Sequence, residues 1–520
     1  MSLSPRFTRL RDSVLIPRAT APPERPSAGQ RGKAPAGGPR RLREGLERRL
    51  PAPARRLPAA VFLGTLAVLL GWWAAFFPGL LSYDSVAYTW QVTTGHWMDN
   101  HSVLYNCLVW AAIRLSGGLW PLTLAQVVAA AAVLAYTCVA LRDLGARGRH
   151  SAAAALALVL LPATGTLPVF VWKDSAFTLS AVLSFAAALR LLARVLDGRA
   201  GVRDAGFWRR LALLQAGFLG LALFRNNSVL VVLAAAPLLI AGLPLMRRWV
   251  AAAVAAATAV YLVLQFAVYP AVGIQMPRTD QLYAFNYADI AVAYGEYPQT
   301  FTAADRRVMA EVAPLSHWGG RGADCWDVDD TMAAPFDRAA AGARNDQLMR
   351  IWWRVLERTP QAVAQGHLCR AQIGWGIWPG PAARDGQTMI SSPVVPADLF
   401  GWADWSSMRH SRYRAALTPR PVDRTLHRLA VWSYELSTAR QTQWLLWRGA
   451  LWCYAAYAVG WALARRRGWR TGAVVIALTA GLQLSVLAAN PAPLARYMLP
   501  PVFLGVLALP LLRTRRPVRP

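Results

Sequence analysis

The chain has 520 residues, 55% of them hydrophobic and only 16% charged. Soluble domains carry about 25% charged residues, and several apolar runs approach the roughly 20 residues needed to cross a bilayer, so a soluble globular protein is excluded. The formal net charge of +29 would suit a nucleic-acid binder. However, the excess arginine lies in a tail and in short loops between apolar runs, with no soluble basic domain, so no nucleic acid is expected as a partner.

Residues 1–57 are rich in Pro, Arg, Gly and Ala, as in Ala21-Pro22-Pro23-Glu24-Arg25-Pro26. They bury too little apolar surface to offset chain entropy and read as a disordered basic tail. Apolar runs follow at 58–80, 118–141, 151–171, 175–196, 209–224, 228–246, 249–269, 445–463, 471–489 and 497–512. These predict an all-α polytopic membrane protein with about ten transmembrane helices, and a re-entrant or interfacial helix over 102–115. The predicted modules are 58–269, a mainly helical external domain over 270–444, C-terminal helices over 445–512, and a basic end at 513–520.

Charge sets the expected orientation. With the arginine-rich tail inside, the loops at 142–150, 197–210, 247–248, 465–470 and 513–519 all fall on the inner side. All are short and basic, as cytoplasmic loops should be. The chain is therefore expected in the plasma membrane with both termini cytoplasmic and 270–444 extracytoplasmic. Of the five cysteines, none forms a CxxC or Cys/His metal pattern. Cys107, Cys138 and Cys453 sit in apolar segments, whereas Cys325 and Cys369 share the external region and are a disulfide candidate.

Four outer segments carry groups that could do chemistry. The first holds Ser82-Tyr83-Asp84-Ser85 and, further on, Asn100-His101-Ser102. Asp84 could accept a proton from a hydroxyl or help hold a metal, or Asp84 or Ser82 could cap a helix starting near Ser85. The second is Trp172-Lys173-Asp174. Lysine occurs only at Lys33 and Lys173, and an ionisable group at a span's end is a functional candidate. The alternative is a snorkelling lysine beside a capping aspartate. The third, Arg225-Asn226-Asn227, offers a fork for phosphate oxygens or a plain interfacial turn. The fourth places Arg496-Tyr497 at the mouth of the last span. Together they form the set that an anionic headgroup and a hydroxyl acceptor would need: cations for the phosphate and a carboxylate for the nucleophile.

Ser82-Tyr83-Asp84-Ser85, Asn100-His101-Ser102-Val103-Leu104-Tyr105, Trp172-Lys173-Asp174, Arg225-Asn226-Asn227 and Arg496-Tyr497 resemble bacterial membrane proteins of the GT-C glycosyltransferase superfamily. These are distantly similar to protein O-mannosyltransferases and lipid A aminoarabinose transferases. The resemblance covers about residues 58–512 and implies a GT-C-like bundle, a polyprenyl-phosphate sugar donor among the membrane lipids, an extracytoplasmic acceptor (protein, lipid or polysaccharide) and inversion at the anomeric carbon. It implies a catalytic role for Asp84, and by position for Asp174. Substrate-binding roles would fall to Lys173, Arg225, Asn226, Asn227, His101, Arg496 and Tyr497. The first loop holds a single acid where the family has a pair, so a divalent cation is neither required nor excluded. A transporter or flippase of a lipid-linked precursor is the competing expectation, with an envelope-assembly scaffold behind it. The tryptophans of 270–444 could stack on sugars, fill a domain core or form an interfacial belt.

Overall fold

The computed structural model describes residues 52–198, 204–225, 228–378, 399–400 and 403–514. Most of the basic N-terminal tail, the amides Asn226 and Asn227, and residues 515–520 lie outside them. The chain is an all-α polytopic membrane protein. Seven helices are long and apolar enough to cross a membrane: Arg56–Ala75, Trp120–Asp143, Lys173–Leu196, Ala205–Phe224, Pro244–Ala271, Trp469–Ala488 and Ala495–Arg513. Among the described residues there are no β-strands, only two isolated bridges.

The ten expected spans reduce to seven for three local reasons. The run at 151–171 is a bent pair, Gly148–Leu160 and Pro162–Val169, turned by 80°, and gives an eighth span if counted as one. Val229–Gly242 has only 14 residues. Gly449–Arg467 carries three arginines in its last turn. The latter two still run between the same ends of the bundle as the others. Gly242 lies against the Arg470 carbonyl, and Gly449 against Met498. Arg467 donates to the Leu144 carbonyl, and Arg466 to that of Leu512. The basic loops therefore gather at one end.

The principal helices are α1 (Ala52–Ala75), α2 (Tyr83–Thr94), α3 (Val103–Ser116), α4 (Trp120–Asp143), α5 (Gly148–Leu160), α6 (Lys173–Leu196), α7 (Ala205–Phe224), α8 (Val229–Gly242), α9 (Arg247–Val263), α10 (Ala284–Glu296), α11 (Asn345–Arg358), α12 (Pro360–Arg370), α13 (Arg424–Ser437), α14 (Gly449–Arg467), α15 (Trp469–Ala488) and α16 (Leu499–Ala508). Helix α6 is the hub, packed on α4, α7 and α16. In its most apolar stretch 78% of residues are buried, against 17% for Arg56–Ala75 and 22% for Pro244–Ala271, which leaves those two at the periphery. Small residues set the α6–α7 approach. A Cβ on Gly217 would fall 2.2 Å from the Ser184 hydroxyl, and one on Gly220 would fall 2.1 Å from that of Ser180. Close backbone approach of this kind is how helices associate where lipid tails offer no hydrophobic drive.

The bend after α5 builds the site. Leu161 is extended at φ −72°, ψ 131°, the conformation a following proline imposes. Pro162 then starts a single turn, and the chain runs on through Phe170 and Val171, which pair with Leu80. Gln126 donates to the Pro168 and Phe170 carbonyls and accepts from the Tyr105 hydroxyl, fixing this crossing from beneath. Trp172-Lys173-Asp174 is thereby laid beside Ser82–Ser85.

Between α9 and α14 the chain has two characters. Residues around 284–363 close on their own core, with Tyr287, Ile290, Trp318, Leu348 and Ile351 buried. Further along, Leu399, Met408 and Leu417 pack onto Leu81, Val86 and Tyr105. Helix α13 joins the bundle core through Ala430 and Tyr434. Its His427 ring nitrogen lies 2.8 Å from the Ala75 carbonyl. The longer helices of this region are α11, α12 and α13. Trp318 is core, whereas Trp353 and Trp378 are exposed.

Candidate functional site

Four segments, from the first loop to the residues before α16, meet at one end of the bundle. Ser82 stands at the N-cap position of α2, where its amide donates to the Ser85 hydroxyl at 3.0 Å and its own hydroxyl accepts from the Trp172 indole. Asp84 is thus spared capping duty. Its carboxylate accepts from Arg496 Nη1 at 2.8 Å across 412 residues of sequence. The Arg496 guanidinium also lies 5.3 Å from the Trp172 ring centre and 5.1 Å from that of Tyr497, both within cation–π range.

Lys173 and Asp174 open α6. Lys173 Nζ lies 3.2 Å from His101 Nδ1. Asp174 is buried, and neither of its carboxylate oxygens has a hydrogen-bond partner. Its nearest cation is Arg225 Nη1, at 3.9 Å. Arg225 follows the last residue of α7 and lies over the Tyr497 ring at 4.2 Å. Asp174 therefore does not cap its helix through its side chain, although the first turn of a helix favours a negative charge. The structure brings together Asp84, His101, Lys173, Asp174, Arg225, Arg496 and Tyr497. Cys325 and Cys369 stand apart from this cluster.

Burial alone would raise the Asp84 carboxyl, but Arg496 leads a set of neighbouring cations that hold it down to about 2. Burial, and then Lys173, push the His101 imidazole down to about 3. A neutral His101 adds no charge to Asp84, so Arg496 and Lys173 are the cations that count. Neutral His101 can also accept at Nδ1 from the Lys173 ammonium.

Two contributors escaped the reading of the sequence. Tyr88 lies one turn beyond Asp84 on the same helix face. It is fully buried, its hydroxyl has no partner, and burial together with Asp84 and Asp174 raises it far above the usual phenol range. It stays a neutral phenol that can still donate. Trp172 is the platform under Arg496. The i, i+4 spacing of Asp84 and Tyr88 was the available signal for the first, and the second stood in the Trp172-Lys173-Asp174 segment without a role of its own. Arg496 Nε is likewise buried without a partner. The centre of the cluster thus holds unmatched donors and acceptors of both signs, which buried sites seldom leave without a polar guest.

The loop bearing Arg496 is held from two sides. Asn490 donates to the Arg370 carbonyl at 2.6 Å, and the Val328 amide donates to the Pro491 carbonyl at 3.0 Å. Cys325 and Cys369, each a few residues from one of these anchors, are joined by a disulfide with Cα atoms 5.6 Å apart. Arg370 is itself locked by Asp289 at 2.5 Å.

Among the described residues no three His, Cys, Asp or Glu side chains gather so as to hold a metal ion. Both site carboxylates face arginine instead, so the donor set does not fit a divalent cation. No family model and no curated protein matches the chain. One solved structure that aligns with it is the crystal structure of ArnT from Cupriavidus metallidurans bound to undecaprenyl phosphate. It is 14% identical, covers 87% of this chain and 78% of its own, and gives a TM-score of 0.35.

Proposed function

We propose that the chain is a GT-C-type membrane glycosyltransferase that moves a sugar from a polyprenyl-phosphate donor to a hydroxyl of an extracytoplasmic acceptor, with inversion. The observation that carries this reading is the convergence of Asp84, Lys173, Asp174, Arg225 and Arg496 in one cluster, with buried oxygens and nitrogens left unmatched. A phosphodiester would supply oxygens to Arg496 and Arg225, and an acceptor hydroxyl a proton to a carboxylate. The site end is read as extracytoplasmic because the basic loops gather at the other end and because a disulfide flanks the Arg496 loop, as suits an oxidising compartment.

In this reading the resting pair of Asp84 and Arg496 is a latch. A carboxyl held at about 2 is a weak base, and general bases work best near the operating pH. Donor phosphate competes for the Arg496 guanidinium, and as that cation turns to the phosphate the Asp84 carboxylate gains basicity. Asp84 then takes the acceptor's proton while the hydroxyl oxygen bonds to the anomeric carbon. The bond from that carbon to the phosphate oxygen breaks, and the leaving phosphate is stabilised by Arg496, Arg225 and Lys173. Asp174 and the neutral phenol of Tyr88 line the same space.

The test is Asp84→Asn, with membrane insertion verified, assayed for transfer of labelled sugar from a polyprenyl phosphate. A loss of about 10²–10⁴-fold is expected for a missing general base. Unchanged transfer would reject the assignment. One observation favours a transporter instead: the 80° break between α5 and Pro162–Val169, since broken helices mark many transporter sites. Flux of a lipid-linked sugar into proteoliposomes without transfer would select that reading.

A further inference from the structure

The helix ends remote from the site frame a cavity. α6 presents Lys173 to the site at its N-terminus, and its last turns, Leu192 to Leu196, line a cavity of about 610 Å³. At about 1.5 Å of rise per residue the two lie roughly 30 Å apart, the thickness of a bilayer's hydrocarbon core. α15 runs the opposite way between the same two levels: Trp469 and Arg470 at its N-terminus border the cavity, and its other end leads to Asn490 and Arg496. Pro244 and Leu245, just after α8, complete the wall.

The cavity has an apolar body and a cationic rim. Leu245 is 64% exposed, Leu196 47% and Trp469 58%, so the surface is open and greasy at the level where the basic loops gather. Arg470 lies 5.8 Å from the Trp469 ring centre and has no carboxylate partner among the described residues. Arg467, tied to the Leu144 carbonyl, adds a second positive charge on the same turn. A tryptophan with arginines at a span's end is an interfacial arrangement, and basic pockets between helices at the cytoplasmic level take anionic lipid headgroups.

We infer that this cavity is a binding site for an anionic glycerophospholipid, with one acyl chain against Leu196 and Leu245 and the phosphate at Arg470 and Arg467. The volume lies in the range that holds a drug-sized body, which suits a single acyl chain better than a polyprenyl tail. The inference does not depend on the reaction proposed above, because it concerns the opposite end of the bundle.

The experiment is native mass spectrometry of the full chain in a saccharide detergent, titrated with phosphatidylglycerol or phosphatidylcholine. Preferential retention of phosphatidylglycerol is expected. Arg470→Gln should weaken phosphatidylglycerol binding about fivefold, the contribution of one interfacial cation, and leave phosphatidylcholine binding unchanged. Leu245→Trp, which fills the cavity from a different element, should weaken both and supplies the answer should Arg470→Gln fail to fold. Equal retention of the two lipids, or unaltered phosphatidylglycerol binding in both variants, overturns the site. Displacement of phosphatidylglycerol by equimolar polyprenyl phosphate overturns the choice of occupant.

Discussion

Replacing Arg496 with glutamine tests the latch at both of its partners. Asp84 falls from its ordinary value of 3.8 to about 2, and both side chains are less than a quarter exposed, so the shift corresponds to about 2 kcal/mol of stability. The carboxyl is depressed by folding, so that stability is present above pH 3.8 and is lost as pH falls towards 2. In Arg496→Gln the leading cation is gone and burial pushes the carboxyl up, so melting temperatures recorded from pH 2.5 to 6 should lose that acid-side decline. If the chain acts as proposed, the same change also removes a charge-assisted contact to the donor phosphate worth about 1.5–3 kcal/mol, or roughly 10–150-fold in affinity. Thermophoretic titration with polyprenyl phosphate reads that loss. Binding within twofold of the unaltered protein, together with an unchanged acid limb, would refute the shared-guanidinium argument.

Other outcomes follow from other places in the structure. Burial raises the Asp99 carboxyl from 3.8 to about 6 despite its bond from Gln265. It therefore carries its full contribution to stability below pH 3.8 and loses it as pH rises through 6, so Asp99→Asn should be more stable than the unaltered protein at pH 8, by up to about 3 kcal/mol, and should match it at pH 3, as read by melting temperatures. Replacing Cys325 and Cys369 with serine opens a loop of sequence separation 44, with an expected loss of about 2–4 kcal/mol and faster amide exchange over 490–496. Gly220→Ala puts a methyl group against Ser180 at 2.1 Å, whereas a Cβ at Gly71 meets nothing within 4 Å. The first should cost about 1–3 kcal/mol of overpacking and the second almost nothing, as read by thermal melts in detergent.

Much of the cluster was legible because a bilayer tolerates so little polarity. Asp84, Lys173, Asp174, Arg225 and Arg496 stand out as charges at the borders of apolar runs, and alternation of basic loops puts them at one end. Composition alone does not say who pairs with whom. The contacts of Asp84 with Arg496 and of Lys173 with His101 depend on helices packing in three dimensions. Pro162 was the overlooked local signal, because hydropathy averages over a break that a single proline enforces. Val229–Gly242 is shorter than its apolar run for a related reason: that run continues past a helix end at Leu243, and hydropathy does not register the turn. Tyr88 hid among ordinary aromatic residues, and its partnerless hydroxyl becomes visible only with its surroundings.

The separation of Asp84 from Arg496 has a temporal side. At synthesis rates of about 5–20 residues per second, the 412 residues between them take roughly 20–80 s to emerge. Throughout that interval the carboxylate waits without its counter-ion, while most of the helical scaffold is already threaded. The cluster is therefore completed only when the Asn490–Arg496 turn arrives and is gripped by the two segments that the Cys325–Cys369 disulfide joins, so a chain stalled shortly before that turn would lack the Asp84–Arg496 pair.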